Sequence, residues 1–66
     1  MDATTVMSTV ERMRRMPKIH ARARFSDLVN DAHWLKGEEQ KLALDFNAHL
    51  ATALRVAGVK IWESGN

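Results

Sequence analysis

The sequence predicts an all-α protein, and two observations carry that prediction. Apolar residues recur at spacings of three and four in three successive segments, the period that places side chains on one face of a helix. The breaks between and after these segments fall at Pro17, Gly37 and Gly58, residue types that interrupt or close helices. The expected architecture is an antiparallel helical hairpin, about 18–36 and 38–57, preceded by a short N-terminal helix. Residues 1–66 are read as a single small helical domain that pairs into a dimeric bundle.

Residues 2 to 16 form the first segment, with Ala3, Val6, Val10 and Met13 along one stripe. Its start has two readings. Thr4 or Thr5 can cap it, or Ser8 with Glu11 spells a capping box and leaves only two turns. Arg12, Arg14 and Arg15 lie off the stripe, and Met7, Met13 and Met16 are adaptable packing residues. Pro17, the only proline, disfavours helix at Met16 and suits the first position of the next helix.

From Lys18 onward, Ala21, Phe25, Leu28, Ala32 and Leu35 follow spacings of four, three, four and three, with Val29 beside them. This is a heptad-like seam. Gly37 is expected to close the helix and to leave a very short connection to the next one. The start of this segment also fits a second pattern, because KIHARARF alternates strictly: Ile19, Ala21, Ala23 and Phe25 on one side, Lys18, His20, Arg22 and Arg24 on the other. Alternation is the mark of a strand. A strand followed by two helices resembles the ribbon-helix-helix DNA binders in outline, and that resemblance implies a two-stranded ribbon inserted into the major groove. Alanine and arginine favour the helix instead.

The third segment, EEQKLALDFNAHLATALRVAG, is the longest and organises the rest. Leu42, Ala43, Phe46, Leu50, Ala53, Leu54 and Ala57 share one face, Glu38 and Glu39 suit its positive start, and Gly58 suits a left-handed position after its end. Leu44, Ala48 and Ala51 line the opposite face. A helix apolar on two sides requires two partners. After Gly58, the residues Val59 to Glu63 alternate as a short tail in strand or extended form, with Trp62 folding back over the hairpin, while Ser64 to Asn66 are expected to fray.

A 66-residue chain buries only roughly 60% of its unfolded surface, so its core needs a supplement. With no cysteine, disulfides and thiolate zinc sites are excluded, and association with another chain is the remaining common supplement. A twofold homodimer is the simplest form. The lack of cysteine also fits a cytoplasmic setting. No apolar run approaches the ~20 residues of a membrane span, and the N-terminus lacks the apolar core of a secretory signal.

Charge is distributed unevenly. Residues 1 to 24 carry six basic side chains against Asp2 and Glu11, and the remainder carries four basic and six acidic ones. The cationic run Arg12, Arg14, Arg15, Lys18, Arg22 and Arg24 suits phosphates, whose binding is salt-sensitive. No aromatic residue interrupts it before Phe25, so it offers no stacking platform for single strands.

Catalytic equipment is not evident. His20, His33 and His49 lack a histidine partner at i, i+4, so no metal motif forms. Asp45 and His49 lie one turn apart but have no nucleophile to serve. Three scattered glycines build neither a phosphate loop nor a nucleophile elbow. A helix-turn-helix centred on Gly37 would present Glu38, Glu39 and Asp45 to DNA, the wrong charge for phosphates. No enzyme activity, cofactor or metal is expected.

Trp34 lies on the same side of its helix as Ile19 and Ala23, away from the seam. It is expected to receive the first helix against Val6, Val10 and Met13, or else to stand exposed as a binding anchor. The function expected is that of a small regulatory or inhibitory protein that binds a protein partner through Trp34, Leu44, Ala48 and Ala51. The alternative is a dimeric nucleic-acid-binding transcriptional regulator that uses the Arg12–Arg24 run.

Overall fold

The computed structural model describes residues 3–62, which form three α-helices: α1 (Ala3–Arg14), α2 (Lys18–Trp34) and α3 (Gly37–Val56). There is no strand among the described residues. Both α1 and α2 pack on α3, burying its Leu50 and Leu54 face, while Leu44 and Ala48 on the opposite face stay exposed.

Helix α1 begins before Thr4, so neither the threonine caps nor the Ser8 box sets its start. Thr9 instead donates its hydroxyl to the Thr5 carbonyl at 2.9 Å, within the helix. Its last turn tightens, with Arg15 N–H and Met16 N–H donating to the carbonyls of Arg12 and Met13 at 3.2 Å. Val6, Val10 and Met13 are buried, as their stripe requires.

Pro17 stands at the N-cap of α2 rather than at its first helical position. Its carbonyl accepts from His20 N–H at 2.9 Å and Ala21 N–H at 3.0 Å, nucleating the helix where proline has no N–H to lose. The strand reading of residues 18–25 is therefore overturned, and with it the ribbon. The helical turn brings Ala21, Phe25, Leu28 and Ala32 to one side, where the first and last are buried and the middle two half-buried. A strand would need a partner strand for its backbone groups.

Gly37 does not close α2. That helix ends at Trp34, Leu35 and Lys36 are extended, and Gly37, at φ +63°, opens α3. The end of α2 is served from α3 as well: Gln40 Nε2 donates to the Ala32 and His33 carbonyls at 3.2 and 3.3 Å, beside the Leu35 N–H that donates to Ala32 at 3.3 Å, in the last turn where a helix leaves its acceptors short of partners.

Gly58, at φ +80°, closes α3 as its spacing suggests. Its N–H donates to Arg55 carbonyl at 3.1 Å and Val59 N–H to Leu54 carbonyl at 2.9 Å, the bond pair of a Schellman motif. The turn sends the tail back under the helices and not into a strand, so that Ile61 is buried beside Val10, Met13, Ala21, Leu50 and Leu54. Phe46, Ala53 and Val59 pack around this cluster. Leu42 and Ala57, expected on the same face, are exposed at its two ends. Asn47 is the buried polar residue of the core, and its Nδ2 donates to the Leu28 carbonyl at 3.2 Å, tying α3 to the middle of α2.

Candidate functional site

Leu44, Ala48, Ala51 and Arg55 follow spacings of four, three and four along α3, so they form one stripe. On α2, Arg22, Phe25 and Val29 form another. The tail shows that both stripes border the same side of the α2–α3 seam. Trp62 sets its ring edge-on to Phe25, with centroids 5.3 Å apart and planes at 77°, and lies under the Arg55 guanidinium at 4.9 Å. Arg22 Nε donates to the Ile61 carbonyl at 2.8 Å. The tail thus covers one end of the seam, which bears out Trp62 as a residue that folds back. Beyond it, Leu44 (52% exposed), Ala48 and Val29 face solvent, and Ala51 is half-buried.

Trp34 does not receive the first helix. It is 75% exposed, and its ring meets His33 edge-on at 5.6 Å. Chain geometry explains this. At 1.5 Å per residue α1 spans about 18 Å, while Trp34 lies about 24 Å along α2 from the elbow where α1 is tethered. The apolar stripe of α1 packs on α3 instead, with Val10 and Met13 in one cluster with Leu50 and Leu54. Trp34 therefore sits on the outer side of α2, apart from the Leu44 stripe.

The cationic run divides between two shallow grooves. Arg12 and Arg24 border one, floored by Met13, Met16 and Phe46. Arg14, Lys18 and Lys60 border the other, of about 460 Å³, over Ala21 and Ile61. Lys60 was not expected there, since only the fold-back of the tail brings it beside residues so distant in sequence. Arg14 also pairs with Glu11 at 3.1 Å, an exposed contact of small energetic weight. Arg15 is exposed. Arg22 has a structural task in holding the tail, so its charge is not reserved for a ligand.

His49 Nε2 lies 3.6 Å from Asp45 Oδ1, with both side chains about half exposed. Among the described residues, no three His, Cys, Asp or Glu side chains converge as a metal site, and no helix is long and apolar enough to cross a membrane. No protein-family model matches this sequence, and neither the curated proteins nor the solved structures contain a significant match to it.

Proposed function

We propose that this chain is a small non-enzymatic regulatory or inhibitory protein that acts by occupying a protein partner through an apolar helix face. The observation that carries the reading is the open end of the α2–α3 seam, where Leu44 and Ala48 are exposed and Ala51 half-buried. Trp34, largely exposed on α2, is a second anchor of the residue type most enriched in binding hot spots. The hydrogen bonds from Gln40 to the end of α2 and from Asn47 to Leu28 support an antiparallel α2–α3 hairpin. The small core supports assembly of that hairpin into a dimeric bundle, and a cytoplasmic setting belongs to the same reading. Capture of a partner from an extract of the native cell tests it: Leu44→Glu and Trp34→Ala should abolish capture, and Arg14→Ala with Arg15→Ala should leave it intact. Capture that survives both apolar variants refutes the site.

A second reading is favoured by one observation, the gathering of Arg12 with Arg24 and of Arg14 with Lys18 and Lys60 around two adjoining grooves. In this reading the chain is a helical nucleic-acid-binding regulator. Fluorescence anisotropy of a labelled duplex at low and near-physiological salt decides it. Binding that weakens steeply with salt, and with a shallower slope for the Arg14→Ala, Arg15→Ala pair, supports it; no binding even at low salt removes it for duplex DNA.

A further inference from the structure

We infer that the groove between α1 and the C-terminal half of α3 is the contact surface for a second copy of this chain. The groove adjoins the Leu44–Ala51 face at Ala48, which lines it as well, and the inference rests on the dimeric assembly proposed above and gives it a surface. The groove is open, about 910 Å³, and lined among others by Ala3, Val6, Met7, Thr52, Ala53 and Val56. Its lining is apolar in residue type except for His49 and Thr52, and while Val6 is buried, Val56 is 84% exposed and Met7 50%.

Two arguments point to a second copy as the occupant. The first is shape. Small side chains, Ala3, Ala48, Thr52 and Ala53, form the hollow, and Val56 and Met7 stand out beside it within the same patch. A twofold contact places one patch against itself, so it requires a surface that carries both the hollow and the knob that fills it. The second argument is area. The chain exposes 4955 Å², whereas a compact monomer of its 7.5 kDa exposes about 4,200 Å². That surplus of roughly 700 Å² is close to the ~800 Å² each partner contributes to a standard interface. The radius of gyration agrees, at 11.9 Å against about 10.8 Å for a compact domain of this length. The surplus belongs to the chain as a whole and matches in size what one interface would remove; within it, this groove is an open patch that carries both hollow and knob.

Sedimentation equilibrium from micromolar to millimolar concentration tests the assignment on the whole chain. The wild type should approach twice the 7.5 kDa monomer mass. Val56→Lys should remain monomeric, its dissociation constant raised roughly tenfold or more, with far-UV circular dichroism unchanged. Lysine suits that position in the monomer, because it favours a helix C-terminus and replaces an exposed β-branched residue. Leu44→Glu should stay dimeric. If Val56→Lys loses helical signal, Met7→Lys on α1 is read in its place by the same criterion. A wild type that stays monomeric throughout overturns the inference, as does a dimer dissociated by Leu44→Glu and not by the groove variants. The first outcome leaves the Leu44 face open for a foreign partner, and loss of partner capture by Leu44→Glu while the dimer persists separates the two surfaces.

Discussion

Replacing Gly58 by alanine should destabilise the fold through the backbone alone. At φ +80° an L-residue is held in the left-handed region, at a cost of about 1–2 kcal/mol. No steric contribution adds to this, because a Cβ built on Gly58 meets nothing within 4 Å. The same turn carries the two bonds that close α3, from Gly58 and Val59 to Arg55 and Leu54, and directs Ile61 into the core. The alanine variant must either keep that turn at the conformational cost or give up the burial of Ile61, which is worth more. It should therefore keep the turn. With a urea slope of about 1 kcal/mol/M for a chain this small, the unfolding midpoint falls by about 1–2 M. Urea titration by circular dichroism at one fixed protein concentration measures it, since self-association makes stability concentration-dependent. Gly58→Asn should lose less, because asparagine tolerates the left-handed region. A Gly58→Ala midpoint at or above wild type would show that the turn carries no left-handed cost, as would asparagine faring worse than alanine.

Two further expectations concern the core and the two tryptophans. Asn47→Ala should cost about 1–2 kcal/mol, from one hydrogen bond of 0.5–1.5 kcal/mol and a small void; Asn47→Leu should come close to wild type, because the Leu28 carbonyl keeps its own acceptor role within α2, and a urea titration of the pair reads the difference. Trp34→Ala should change stability by less than about 0.5 kcal/mol, as expected for an exposed surface residue, whereas Trp62→Ala, which removes the Phe25 and Arg55 contacts, should cost about 1 kcal/mol or more; equal thermal shifts for the two variants would contradict the placement of both rings.

The division between local and long-range information runs through particular residues. Spacing alone placed Val6, Val10 and Met13 on a buried stripe, Ala21 and Ala32 on another, and Leu50 and Leu54 on a third, because helical period is a local property of the chain. The left-handed turn at Gly58 was equally legible, since the side chain that permits it is written at that position. Gly37 was misplaced by two residues of extended chain, which local propensity does not resolve. Partner choice was not legible. Whether the apolar stripe of α1 meets Trp34 or the Leu50–Leu54 face depends on the length of α1 measured from the Pro17 elbow, a constraint that exists only once three helices share one volume. For the same reason nothing in the sequence singled out Asn47, whose side chain bonds a carbonyl nineteen residues away. Of the candidate site, Leu44, Ala48 and Ala51 were visible as an apolar stripe, but their partial exposure was decided by how far the returning tail reaches. The α1–α3 groove was legible only in pieces, Ala3 and Val6 in one stripe and Ala48, Ala53 and Ala57 in others; that they line one groove with Val56 follows from the burial of Val10 and Met13 in one cluster with Leu50 and Leu54 and from nothing local to either segment.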